Sequence, residues 1–406
     1  MLIFVNMEKY DVIVVGGGIV GVSTAWQLRM RYPGCRILLL EKEPEVGLHQ
    51  TGRNSGVVHA GVYYEPGSMK SIFCREGNRA TYEFCSRHRV PVQRCGKMLV
   101  ATDSLEYQRM EALYQRILKN RIRVERLDRG DIQTREPNIS GIAALFVPDT
   151  GIVDYGRITR KMAELFMQSG GVIKCRHPLF SLRESKDQVT VSAGGHRFVS
   201  RYLIACAGLY ADRLVKLLGI RPEFQIIPFR GEYYQLSPSK RNIIHHLIYP
   251  IPNPNLPFLG IHLTRMIHGT VTAGPNAVMA LKREGYQKTQ INLYDLFEMM
   301  RFKGFWNVIR QHLGAGVLEL KNSLFKSAYL KAVQKYCPQL RGNDLRPYPA
   351  GVRAQAVDKN GTLIHDFLFV NTRRTIHVCN APSPAATSAI PIGRHIVEKT
   401  AELFED

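Results

Sequence analysis

Residues Lys9–Val15 and the six that follow, Gly16-Gly17-Gly18-Ile19-Val20-Gly21, constrain this chain more than any other segment. The first run is short, β-branched and almost wholly apolar, which predicts a strand buried on both faces of a parallel sheet. The glycines after it have the spacing G-x-G-x-x-G and lead into a helical pattern through Ala25, Leu28 and Met30. Gly16 serves the tight turn, Gly18 lets backbone approach a pyrophosphate, and Gly21 packs helix on strand. The helix N-terminus then faces the phosphates. A second apolar run, Arg36–Leu40, ends in Glu41, twenty residues past Gly21, where an acid accepts hydrogen bonds from a ribose. An acid here, not a basic residue, disfavours a 2′-phosphate, so the expected ligand is NAD or the adenosine half of FAD.

Two later segments favour the flavin. Tyr202–Ala207 is another apolar strand, followed by Gly208 and an apolar helix through Leu214 and Leu218; Thr375–Val378 leads into Pro382-Ser383-Pro384 and a closing helix. A nicotinamide domain is usually one continuous stretch, whereas three separated pieces rejoining one sheet suit a flavin fold. The fold class expected is therefore α/β, with α+β character in the second domain: a Rossmann-like FAD-binding domain built from separated segments, plus a substrate domain with a mainly antiparallel sheet. The boundaries drawn are 7–90, 145–225 and 345–406 for the first, and 91–144 and 226–344 for the second.

The formal charge of +21 on 406 residues draws the chain to polyanions: nucleic acid, an anionic membrane or an acidic small molecule. No zinc-finger spacing, aromatic ribonucleoprotein motif or basic tail is present, so nucleic acid is not an expected partner. Residues 290–335 interleave Leu293, Phe297, Phe305 and Trp306 with Arg301, Lys303, Arg310 and Lys321. Such a basic amphipathic stretch either lies in a membrane interface or packs its apolar face on the substrate domain. Eight dispersed cysteines without C-x-x-C pairs read as reduced thiols, and no metal site is expected. With no run long enough to span a bilayer, the expected location is cytoplasmic, with peripheral contact to the cytoplasmic face of the inner membrane, and the electrons pass to a membrane quinone or to oxygen.

Oxidation by a flavin asks the protein for a base and for substrate clamps. Histidine suits the first task at neutral pH. His59 lies in a small-residue loop just after the ribose acid, and His262 on a strand of the substrate domain, so either is a candidate. Arginine's fork accepts a carboxylate with two parallel hydrogen bonds, which singles out Arg353 in a Gly-Val-Arg segment, Arg230 in Pro-Phe-Arg-Gly-Glu, and Arg265. Tyr63, Tyr64 and Tyr249 are candidate hydroxyl donors on the pocket wall.

Taken together, the glycine fingerprint, Glu41, the Gly208 segment and Gly351-Val352-Arg353 resemble the FAD-dependent D-amino-acid oxidase superfamily. His49-Gln50-Thr51-Gly52, Asn54-Ser55-Gly56, His59–Tyr64, Cys95-Gly96-Lys97, Pro228–Tyr233, His262–Arg265, Pro349–Gln355 and Asn380–Ile392 narrow the resemblance to its L-2-hydroxyglutarate dehydrogenase family. The resemblance implies FAD, oxidation of a small dicarboxylate at C2 and Arg353 as the carboxylate clamp, with Arg230 or Arg265 at the other end. It also implies cofactor contacts at Gly16, Gly18, Ile19, Val20, Gly21, Glu41, Lys42, Thr51, Asn54, Ser55, Gly56, Val57, Ala207, Gly208, Pro384, Ala385, Ala386, Thr387 and Ser388. One departure is Arg53, where the family pattern has histidine, so no role carries over to it. Two rivals remain: an amino-acid or amine oxidase on the same fold, and a basic binding protein for anionic surfaces.

Overall fold

Strand Glu8–Val15 sits within the first sheet, where its side chains from Val12 to Val15 are buried on both faces. It pairs in parallel with Ile37–Leu40 on one side and with His196–Ala205 on the other. The computed structural model describes residues 7–254 and 259–405. Strand Val172–Lys174 extends the parallel sheet beyond Ile37–Leu40, and Thr375–Asn380 joins the far end of His196–Ala205. An antiparallel meander, Leu179–Glu184 and Val189–Ala193, completes that edge. Helix Ile19–Arg31 packs between the sheet, helix Tyr155–Gln168 and helix Ala389–Glu405. Distant segments thus rejoin one dinucleotide-binding layer, each bringing an apolar strand that only burial on both faces satisfies.

The second sheet is antiparallel except for one pair, Lys97–Ala101 with Leu247–Pro250. Its longest ladder joins Phe224–Leu236 to Leu345–Asp358, with a bulge between Gly231 and Tyr233. The second of these strands therefore belongs to the substrate-side sheet, although 345–358 was expected among the FAD-binding segments. Likewise Ala143–Val147, divided by the expected boundary at 145, lies wholly in this sheet. The class of the fold is the one expected.

Residues 293–334 form four short helices, Leu293–Arg301, Lys303–Gln311, Leu313–Leu324 and Lys326–Gln334. Both readings of this stretch have a structural basis. Met299, Phe305, Val308, Tyr329 and Val333 are buried against the second sheet. A second apolar set, including Leu293, Phe297, Trp306, Leu313, Val317 and Leu324, is exposed. No helix among the described residues is long and apolar enough to cross a membrane.

Candidate active site

The glycine cradle has no room for side chains. A Cβ on Gly16 would meet the Cys206 carbonyl oxygen at 2.4 Å, and one on Gly21 would meet the Gly16 carbonyl oxygen at 2.0 Å. Gly16 also holds φ at +105°, a left-handed conformation open to glycine. The Ile19–Arg31 helix has no side-chain cap of its own; instead Thr51 Oγ1 reaches in from the next loop and accepts from Ile19 N at 3.0 Å. Asn54 shapes that loop, donating to the Gln50 and Thr51 carbonyls and accepting from Gly56 N. The Glu41 carboxylate accepts from Gly17 N at 2.6 Å and Glu43 N at 2.9 Å, so it organises the turn.

This cradle opens into one cavity of about 970 Å³ that continues between the two sheets. Its walls bring together Gly16, Gly18, Ile19, Val20, Gly21, Glu41, Lys42, Thr51, Asn54, Ser55, Val57, Ala207, Gly208 and Pro384 through Thr387. A long tract of glycine backbone and a helix N-terminus leading into a chamber of mixed apolar and polar lining fits an FAD. Gly56 and Ser388 are not on the cavity wall. Gly56 is wedged against the Val153 carbonyl, and Ser388 is buried where the closing helix begins. Both belong to the scaffold behind the contacts expected of them.

The same cavity takes in His59, Tyr63, Tyr64, Tyr249, His262 and Arg353. His262 is buried, its ring stacked on Tyr249 with centroids 3.8 Å apart. Its Nδ1 lies 3.0 Å from the Gly260 carbonyl oxygen. A carbonyl only accepts, so Nδ1 carries the hydrogen and Nε2 keeps its lone pair. Burial pushes both His59 and His262 down to about 3, helped by the charges of Lys97 on each, so both imidazoles are neutral at neutral pH. Burial also lowers the affinity of Arg353 for its proton, against the anionic pull of Glu319. Tyr63, Tyr64 and Tyr249 are pushed well above the ordinary phenol range and so stay protonated donors.

Arg230 and Arg265 do not reach the cavity. Side chains alternate along a strand, and on Phe224–Leu236 it is Gly231 and Tyr233 that line the cavity. Arg230 therefore faces away, bound to Glu232 at 2.9 Å and to the Gln287 carbonyl. Arg265 lies three residues from His262, on the opposite face, and donates to the His245 carbonyl at 2.9 Å. The distal clamp expected of these two arginines is not theirs.

Three residues that the sequence reading passed over belong to the site. The Tyr155 hydroxyl bonds Thr387 Oγ1 at 2.8 Å and the Val57 carbonyl at 3.0 Å, and Thr387 in turn accepts from His59 N at 3.2 Å. Lys97 is fully buried; its Nζ lies 4.6 Å from the Tyr63 ring and 5.0 Å from the Tyr249 ring, with no hydrogen-bond partner among the described residues. Burial pulls it down to about 7. Lys70, on the first turn of helix Met69–His88, lines the cavity. A lysine inside an apolar strand such as Lys97-Met-Leu-Val-Ala was the one legible signal.

Glu43, His49 and Glu284 approach one another as metal ligands do, but Lys42 Nζ lies 2.5 Å from Glu43, 2.8 Å from Glu284 and 2.9 Å from His49. The ammonium holds the position a cation would take. Lys42 thereby ties the Glu41–Glu43 end of the cavity to the Glu284 segment.

Comparison with known proteins agrees with this geometry. The family model for FAD dependent oxidoreductases matches residues 11–399. The chain is 55% identical to an L-2-hydroxyglutarate dehydrogenase of Escherichia coli over 97% of its own length and 94% of the relative's. It is 42% identical to a mitochondrial L-2-hydroxyglutarate dehydrogenase of Caenorhabditis elegans over 99% and 95%. Among solved structures, an FAD-bound L-α-glycerophosphate oxidase from Mycoplasma pneumoniae superposes with a TM-score of 0.80 at 20% identity, covering 97% of this chain and 94% of that one. A Geobacillus kaustophilus glycine oxidase superposes at 0.72 with 16% identity, covering 97% and 95%. These structural likenesses speak to the fold. The chain belongs to the FAD-dependent oxidoreductase family and, within it, to the L-2-hydroxyglutarate dehydrogenase family.

Proposed function

We propose that this enzyme oxidises L-2-hydroxyglutarate at C2 to 2-oxoglutarate and hands the electrons to a quinone at an anionic membrane surface. The observation that carries the reading is one arrangement: Arg353 and two neutral imidazoles on the cavity into which the glycine cradle opens. The relatives' printed names supply the substrate. When bound, FAD supplies the hydride acceptor.

The chain's own residues bind, orient and move the proton. Arg353 holds the C1 carboxylate through two parallel hydrogen bonds. An imidazole accepts the C2 hydroxyl proton. His262 is the better arranged of the two, because Gly260 fixes its tautomer with Nε2 as acceptor and Tyr249 fixes its ring plane. Burial keeps it unprotonated at neutral pH, so the Nε2 lone pair is available. The protonated phenols of Tyr63 and Tyr249 orient the substrate oxygens as donors. Anaerobic bleaching of the flavin by L-2-hydroxyglutarate, but not by D-2-hydroxyglutarate or L-amino acids, tests this; bleaching by an amino acid instead would replace the reading with an amino-acid oxidase.

The membrane part rests on the outward face of the 293–334 helices. Exposed Leu293, Phe297, Trp306, Leu313, Val317 and Leu324 lie among exposed Arg301, Lys303, Arg310, Lys321 and Lys326. Apolar side chains ringed by cations complement an anionic bilayer interface. Co-flotation with anionic but not neutral vesicles, weakened by salt, is expected. A salt-insensitive absence from both, or dimerisation through this face, overturns it. Stoichiometric hydrogen peroxide in the presence of quinone would assign the electrons to oxygen.

A further inference from the structure

A five-carbon dicarboxylate needs a cation at each end, and Arg353 accounts for one. The cavity wall carries other cations, and most are committed. Lys42 is enclosed by Glu43, Glu284 and His49. Arg53 is exposed and donates to the Leu48 carbonyl. Arg116 is exposed and donates to the Tyr63 carbonyl.

Lys70 is placed differently. It lines the cavity from the first turn of helix Met69–His88, whereas Arg353 enters from the Leu345–Asp358 strand of the second sheet. Its ammonium lies 4.9 Å over the Tyr64 ring. Asp366 is the nearest acid, but its two oxygens accept from the backbone N–H groups of Met69 and Lys70 at 3.2 and 3.0 Å, so this carboxylate is occupied in capping the helix. Among the described residues no carboxylate oxygen forms a salt bridge with Lys70 Nζ. The two cations come from different elements: Lys70 from the helix whose Asn78 donates to the His59 carbonyl at 3.1 Å, and Arg353 from the sheet that also carries His262. A substrate spanning the cavity between these elements meets a cation from each.

We propose that Lys70 binds the distal carboxylate of the substrate and sets the preference of this enzyme for a dicarboxylate. The inference rests on the function proposed above. It follows from charge: the Tyr64 face and the half-buried position make an ammonium there worth more to an anion than one in open water.

The test compares L-2-hydroxyglutarate with L-2-hydroxypentanoate, which has the same chain length and no distal carboxylate, as reductants of the FAD-loaded enzyme in anaerobic stopped flow. In Lys70→Met the ratio of the two kcat/KM values, dicarboxylate over monocarboxylate, should fall about 10- to 100-fold, the loss of one charge-assisted hydrogen bond. Lys70→Arg should recover most of it. Flavin absorbance and thermal melting report that the variants are folded and loaded. Equal losses on both substrates would reduce Lys70 to a structural role and overturn the proposal. So would a collapse of the ratio in Arg109→Gln with none in Lys70→Met, since Arg109 also lines the cavity. A wild-type flavin that L-2-hydroxyglutarate does not bleach would instead sink the functional reading beneath it.

Discussion

Replacing Lys97 by methionine should make the protein more stable, by an amount that depends on pH. Lys97 is fully buried and without a hydrogen-bond partner among the described residues, and its burial brings it from 10.5 to about 7. That gap, at about 1.4 kcal/mol per pH unit, is ~5 kcal/mol of discrimination against the charged form. Below about pH 7 both folded and unfolded chains carry the proton, and the folded state bears the whole cost. Between about 7 and 10.5 the unfolded chain binds a proton that the folded one has released, so unfolding free energy rises with pH. Methionine at this position carries no charge and keeps an apolar contact with Tyr63 and Tyr249. Lys97→Met should therefore gain about 5 kcal/mol at about pH 6, falling to about 1 kcal/mol by about pH 10. Denaturant unfolding of wild type and variant at both pH values, followed by tryptophan fluorescence, measures the difference, from which the titrating groups that Lys97 does not influence cancel. A variant no more stable than wild type at the lower pH, or a difference that does not change with pH, would refute the argument. The agreed outcome would mean that the chain keeps a costly ammonium behind two tyrosines of the site, a choice that function explains and stability does not.

Other expectations follow from the same geometry. His262→Asn should slow flavin reduction by about 10²-fold or more, with flavin still bound, and His59→Asn by less; the reverse order in anaerobic stopped flow would move the base to His59. Gly21→Ala places a Cβ 2.0 Å from the Gly16 carbonyl, so the helix must lift from the turn and the flavin-to-protein absorbance ratio of the purified protein should fall about tenfold. Asp212→Ala strips the partner from Arg283, which is only 2% exposed and bonded to Asp212 at 2.6 Å. A buried guanidinium without its acid should cost about 3–5 kcal/mol in denaturant unfolding; a loss under about 1 kcal/mol would mean that Glu298 or the Leu209 carbonyl suffices to hold it.

The cofactor half of this protein is readable without a structure because its chemistry is local. A strand, three glycines at fixed spacing, a helix and an acid are contiguous, and each residue type answers a steric need that a neighbour in sequence creates. The Arg353 segment is legible in a similar way, since Gly351 is a position where a Cβ would meet the Arg53 carbonyl at 2.2 Å. The substrate half is different. Arg230 and Arg353 look alike as arginines beside glycine, yet one faces Glu232 and the other the cavity, because a strand turns each successive side chain to the opposite face and only the packed sheet says which face is the site. Lys70, Lys97 and Tyr155 carry no motif; they come together because two helices and the second sheet converge there. The basic amphipathic stretch divides likewise: its composition announces both an apolar and a cationic character, but only packing decides that one apolar set is buried and a second is left facing outward. Spacing along the chain determined the cradle, and side-chain direction, which tertiary contacts alone select, determined what stands opposite it.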